Sequence, residues 1–188
     1  YNRLNLLLAQ DDSLQARLDA GFWDRVGSIN PTPTTPVTDV FEKALLTREM
    51  DLIGDLPPAE VTAHRTAEAV YGTIPAGAAR LAGHTVSIDT SRTGLIATGM
   101  YVVPGETVTV TVPASLAGDG YRLRVNTHVD DISSRASWLR VPSDVSRSFE
   151  LDSTSVAIAS AFGGAIYIDV GGQAAGTPPG LGLVDVVV

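Results

Sequence analysis

The chain has 188 residues, a hydrophobic content of 44% and a formal net charge of −8, from 13 basic and 21 acidic side chains. That much apolar material builds a folded core and argues against disorder along the whole length. The negative balance argues against nucleic acid or an anionic membrane as the main partner, and the absence of cysteine excludes a disulfide framework, a thiolate nucleophile and a cysteine–zinc site.

No apolar run reaches the roughly 18 residues needed to span a bilayer, so membrane insertion is not expected. The sequence begins at Tyr1 and stops in a strand-like run at Val188. The expectation is that both ends are cuts in a longer protein whose signal peptide is already gone.

The front of the chain reads as helical. Leu4, Leu7, Leu8, Leu14 and Leu18 fall near helical spacing, and Phe22 and Val26 continue the register. Residues 30–36 alternate Pro and Thr and read as an extended linker. A second helix begins at Asp39, where Asp39 and Glu42 form a start close to a capping box. Val40, Phe41, Ala44 and Leu45 are expected on its apolar face. Pro58 seats the first turn of a third helix, with Ala59, Ala63, Ala67 and Val70 on one side and Gly72 as C-cap.

After residue 77 the period changes from helical to two. Val108, Val110 and Val112 alternate with threonines; Leu123 and Val125 alternate with Arg122, Arg124 and Asn126; Ile166, Ile168 and Val170 repeat the pattern. Such alternation places one set of side chains in a core and the other toward solvent. Further strands are expected at 85–89, 95–102, 146–151, 155–159 and 183–188. Pro-Gly, Gly-Asp-Gly and Gly-Gly signals separate them. About eight short strands at this spacing predict an antiparallel β-sandwich, jelly-roll-like, preceded by a small α-helical segment. The expected organisation is a helical N-terminal segment with its linker (1–36), a helical pair (37–76) and a β-sandwich accessory domain truncated at its C-terminal end (77–188).

The ordered set of segments carries a family likeness. It runs Thr98-Gly99-Met100-Tyr101, Pro104-Gly105-Glu106, Arg122-Leu123-Arg124-Val125 with His128-Val129-Asp130, Trp138-Leu139-Arg140-Val141-Pro142, and residues 158–168 around Phe162-Gly163-Gly164. This set resembles the non-catalytic β-region that precedes the zinc-binding core of the enhancin-like metallopeptidases, peptidase family M-sixty. That family acts on mucins and other glycoproteins. Its activity rests on H-E-x-x-H, two zinc-binding histidines one helical turn apart with a glutamate as general base. The three histidines here are His64, His84 and His128. None is followed by Glu and no two are four apart. No catalytic residue can be assigned, the chain is predicted inactive alone, and zinc is expected only in a catalytic domain beyond Val188.

The remaining candidates are weighed on chemistry. His128 and Asp130 would share a face if their strand continued, and could offer a metal two ligands; the plainer reading is a strand end with solvated carboxylates. Asp130 and Asp131 lack the spacing of a calcium loop. Phe162-Gly163-Gly164 reads as a hairpin turn needing positive φ. Trp138 with Arg135 and Arg140, and Tyr121 nearby in the sequence, are candidates for stacking on a sugar and pairing with its acidic groups. No G-x-S-x-G elbow is present, so a serine triad is not expected. The resulting expectation is an accessory region of a secreted or cell-surface, bacterial, glycoprotein-directed zinc metallopeptidase. Its partners would be the following peptidase domain of the same polypeptide and a glycoprotein or glycan. The alternatives are a glycan-binding module and a structural or assembly domain of a cell-surface protein.

Overall fold

The computed structural model describes residues 21–171 and 180–188. The leucine-rich stretch before residue 21 and most of the Gly-rich turn before residue 180 lie outside the described residues. Two compact units emerge, and they do not follow chain order. One holds the residues up to Asp55 together with Asp131–Ser143; the other holds Leu56–Asp130 and Asp144–Val188.

In the first unit, residues 21–27 are helical and α1 spans Val40–Asp55. Asp39 caps α1: its Oδ1 accepts from the backbone N–H groups of Phe41 and Glu42, both at 2.9 Å. Those donors have no partner inside a helix. Asp39→Ala is expected to cost about 1 kcal/mol of stability, measured by urea unfolding. The buried face of α1 is Leu45, Leu46, Glu49 and Met50. The expected face fails at its start, because Val40 and Phe41 are 76% and 52% exposed. Leu45 and Leu46 pack with Phe22, Val26, Ile29, Val37 and Trp138, and that cluster selects the later stripe.

The second unit is a β-sandwich of two four-stranded antiparallel sheets. The strands are β1 (Thr85–Asp89), β2 (Gly94–Val102), β3 (Thr107–Thr111), β4 (Arg122–Val125), β5 (Arg147–Glu150), β6 (Ser155–Ala159), β7 (Gly164–Val170) and β8 (Leu183–Val187). One sheet has the order β1-β8-β3-β6 and the other β2-β7-β4-β5. Inward positions of both sheets make one core. Val110, Leu123, Val125, Ile158, Ile166, Ile168, Val170 and Val186 are all fully buried there. Each such aliphatic side chain contributes about 1.5–3 kcal/mol through burial. The fold is therefore mainly β, as the alternation predicts.

Two local expectations are corrected. The segment after Pro58 is not one helix. It is a 3₁₀ turn at Pro58–Glu60, an extended stretch, and the short helix α2 (Ala67–Tyr71), capped by Gly72 at φ 96°. The extended stretch exists because tertiary pairing claims it: the His64 N–H donates to the Ala161 carbonyl at 2.8 Å. Phe162-Gly163-Gly164 does use positive φ, 65° and 144° at its glycines, but makes no hairpin. It carries the chain from β6 in one sheet to β7 in the other.

Candidate functional site

The turn at Phe162 organises one end of the sandwich. Phe162 is 3% exposed and His64 6%. Their rings lie 4.7 Å apart with a 32° tilt. Tyr71 meets Phe162 edge-on at 5.5 Å and His128 edge-on at 5.8 Å. The four rings thus run in contact, His64–Phe162–Tyr71–His128. The ring of His64 is also engaged through Nδ1, 2.9 Å from Thr66 Oγ1, and through Nε2, 3.2 Å from Arg65 Nη1. Both imidazoles are therefore built into packing, which leaves the column suited to rigidity rather than proton transfer.

His128 and Asp130 do not share a strand face. β4 ends at Val125, and Asn126 turns the chain at φ 66°. The Asn126 side-chain oxygen accepts from the backbone N–H of Thr127 and His128 at 2.7 and 3.1 Å, fixing that turn. His128 Nε2 lies 3.6 Å from Asp130 Oδ2, beyond hydrogen-bond reach. Among the described residues, no three His, Asp or Glu side chains gather as a metal site. The described residues therefore offer no set that fits a catalytic zinc, and no chemistry through that metal is assigned to them.

The sugar-binding candidates are placed as follows. Trp138 is fully buried in the helical unit, and its backbone pairs with Val37 in both directions at 2.9 Å. Lys43 Nζ sits 5.3 Å from the Trp138 ring centroid and donates to the Arg135 and Ala136 carbonyls at 3.2 and 2.5 Å. Arg140 is 9% exposed, and its Nη1 donates to the Val141 and Ser143 carbonyls at 2.7 and 3.3 Å. Arg135 is exposed. Tyr121 is fully buried in the other unit, within the sandwich core. A ring without exposed surface has no face for a pyranose, so in this fold Trp138 and Tyr121 act as anchors of their two cores.

The surface feature that sequence patterning did not single out is an open depression in the sandwich. Ile74, Leu81, Met100, Tyr101, Val108 and Val188 supply its apolar lining, with Arg80 and Glu106 also lining it. β2 bulges beside it: the register shifts between Ala97 and Tyr101, and Gly99 takes φ 77°. There the Thr98 hydroxyl donates to the Ile166 carbonyl at 2.9 Å and accepts from the Met100 N–H at 3.1 Å. Tyr101 is 48% exposed and Leu81 54%; partial burial pushes the Tyr101 phenol above its usual range. The outward position of Tyr101 follows from alternation along β2. Leu81 lies in a loop and had no periodic signal.

Arg80 and Glu106 form a two-pronged ion pair, with Nη2 2.8 Å from Oε1 and Nη1 on Oε2. The hydrogen bond from Arg80, aided by its charge, holds the Glu106 carboxyl below its ordinary range. A carboxyl lowered in the folded state stabilises fully above its unfolded value and loses that contribution as pH falls through the folded one. The pair is exposed and screened, so its effect on stability is small. An NMR titration of the Glu106 carboxyl is expected to show the lowered midpoint, with a return to the ordinary glutamate range in Arg80→Ala.

Comparison with known proteins places this sandwich. An 89-residue stretch is 37% identical to a TRPM8 channel-associated factor homolog from Xenopus laevis, covering 46% of this chain and 10% of that protein. Among solved structures, an IMPa metallopeptidase in complex with T-antigen is 20% identical, with a TM-score of 0.44 over 58% of this chain and 13% of that one. IMPa metallopeptidase from Pseudomonas aeruginosa gives 20% identity and a TM-score of 0.42 over 57% and 12%. The chain thus spans only about a tenth of the length of these proteins. The family model described as the N-terminal domain of M60-like peptidases matches residues 78–179. That range takes in more than half of the sequence, all of β1 to β7 among it, and the chain belongs to this family of peptidase N-terminal domains.

Proposed function

We propose that this chain is the non-catalytic accessory module of a longer, secreted or cell-surface zinc metallopeptidase directed at glycoproteins, and that it braces the peptidase domain following it in the same polypeptide. Membership in a family of peptidase N-terminal domains carries the reading. The chain's own chemistry agrees with it. Its histidines lack the H-E-x-x-H arrangement, and those at 64 and 128 are packed against aromatic rings. A sandwich with one shared core resists deformation because its interior is close-packed, which suits a part that holds another in place. Among the described residues, no helix is long and apolar enough to cross a membrane.

The test is deletion of residues 1–188 from the longer polypeptide. The remaining peptidase is expected to melt at a lower temperature and to cleave O-glycosylated mucin more slowly. Cleavage of mucin by the 188-residue chain with added zinc would overturn the reading. So would a peptidase whose melting and turnover ignore the deletion. Retention of mucin glycans by the 188-residue chain alone would favour a glycan-binding module instead.

A further inference from the structure

Residues 30–36 read from sequence as an extended linker, but the structure closes them into a turn. The Thr32 N–H donates to the Thr35 carbonyl at 3.2 Å, and the Thr35 N–H donates to the Thr32 carbonyl at 3.1 Å. Pro33 holds the second position of that turn, where its fixed φ is favoured. Both ends are anchored. Ile29 and Val37 are buried in the cluster around Trp138, and Pro31, between them in sequence, is buried as well. Residues 33–36 are exposed, so the helical unit presents a fixed Pro-Thr knob to solvent. We infer that Thr34, at the tip of this knob, is an acceptor for an O-linked neutral sugar. The inference rests on the secreted or cell-surface setting proposed above and adds a modification to it.

The hydroxyl network singles out Thr34. Thr35 Oγ1 donates to the Asn30 carbonyl at 2.9 Å, so its proton is spent. In its 2.6 Å contact with Thr32 Oγ1 it must accept, which spends the Thr32 proton too. Thr32 Oγ1 also accepts from the Thr35 N–H at 3.1 Å. Thr34 is then the donor in its 3.1 Å contact with Thr32 Oγ1, and its own oxygen receives no donor among the described residues. Glycosyl transfer needs such an oxygen. Thr34 Oγ1 attacks the anomeric carbon of a sugar joined to a nucleotide or lipid phosphate. The glycosidic C–O bond forms as the anomeric C–O bond to phosphate breaks. The phosphate leaves with that electron pair, and the hydroxyl proton passes to the transferase's base. The surroundings point to a sugar rather than another group. No charged residue stands between Arg25 and Asp39, and an uncharged Pro/Thr stretch has the composition of O-glycosylated segments. Phosphorylation directed by a following proline would select Thr32 or Thr35, whose protons are spent. Asn30-Pro31-Thr32 is no N-linked acceptor, because proline occupies its middle position.

The test is mass spectrometry of the longer polypeptide as its own organism makes it, with the medium and cell surface separated from the cell interior. Trypsin cuts after Arg25 and Lys43 and releases residues 26–43 as a single peptide. That peptide is expected to carry a hexose or N-acetylhexosamine, placed on Thr34 by electron-transfer fragmentation. Thr34→Val should lose the added mass and Thr34→Ser should keep it. Both should melt as the parent does, because the side chain is exposed. An exported protein whose peptide is bare overturns the site and leaves the exported setting standing. A protein confined to the cell interior overturns both. A sugar on Thr32, Thr35 or Thr38 instead overturns the assignment to Thr34, and an added phosphate overturns its class. The unsubstituted protein supplies each of these readings, so they hold even where a variant fails to fold.

Discussion

Gly105→Ala is expected to destabilise the chain by about 3 kcal/mol or more, the sum of a left-handed backbone penalty and overpacking. Gly105 has φ 75°. A Cβ there would lie 2.2 Å from the Ala63 backbone nitrogen and 2.8 Å from the Thr62 carbonyl carbon. Neither neighbour is the end of a flexible side chain, so relief requires the 61–64 segment to move. Local hydrogen bonds oppose that movement: the Gly105 N–H donates to the Ser160 carbonyl at 2.9 Å, the His64 N–H to Ala161 at 2.8 Å, and the Thr107 hydroxyl to Pro58 at 3.0 Å. Gly118→Ala is the control. Gly118 has φ 83° but nothing within 4 Å of the added carbon, so it should cost only about 1–2 kcal/mol. Urea unfolding of the two variants gives the difference directly. Equal costs would mean that the 61–64 segment does not press on this turn, and the packed aromatic column behind it would lose its support.

The same turn shows what a linear reading of the chain can and cannot reach. All eight strands are legible, because in a half-buried sheet the buried face must repeat every second residue. Val110 and Leu123 advertise their burial through polar neighbours on either side, and Ile166 and Ile168 through their two-residue spacing. Helix starts are legible for a similarly local reason: Asp39 can satisfy two orphan donors within its own turn. The failures are tertiary. Ala59, Ala63, Ala67 and Val70 have helical spacing, yet Ala63 is exposed and its backbone lies against Gly105. Nothing near residue 63 signals a partner some forty positions away. Phe162-Gly163-Gly164 requires glycine for two reasons, positive φ and close approach. A Cβ on Gly163 would sit 2.6 Å from the Val102 carbonyl oxygen, and one on Gly164 would sit 2.7 Å from Asn126 Cβ. Local sequence announces the first reason and hides the second.

Family membership was legible through the order of several individually weak segments, while the surface around Leu81 was not. Order along a chain survives in sequence, but a depression is assembled from a loop, a strand bulge and the end of β8. The candidates around Trp138 show the opposite error. A tryptophan flanked by Arg135 and Arg140 has the composition of a sugar site, but composition does not say which way the ring points. The helix carrying Leu45 and Leu46, and the residues before it, turn that tryptophan into a core residue.

Trp138→Ala should therefore lower the stability of the helical unit by about 3–5 kcal/mol, seen as early loss of helical circular dichroism on urea titration. The ring fills the space among Phe22, Val26, Ile29, Val37, Leu45 and Leu46, and truncation leaves a cavity that these side chains can only partly close. Trp138→Phe separates volume from polarity. The indole Nε1 is buried with no hydrogen-bond partner among the described residues, and an unsatisfied buried donor carries a penalty of about 1–3 kcal/mol. Phenylalanine removes that donor while keeping a ring beneath Lys43. Its net cost should stay below about 1.5 kcal/mol, the range of tolerated hydrophobic exchanges. A sugar-stacking tryptophan predicts another pattern: alanine would abolish glycan binding with stability intact. Finding that pattern would mean that the ring is exposed in solution and that the cluster around Leu46 does not close over it.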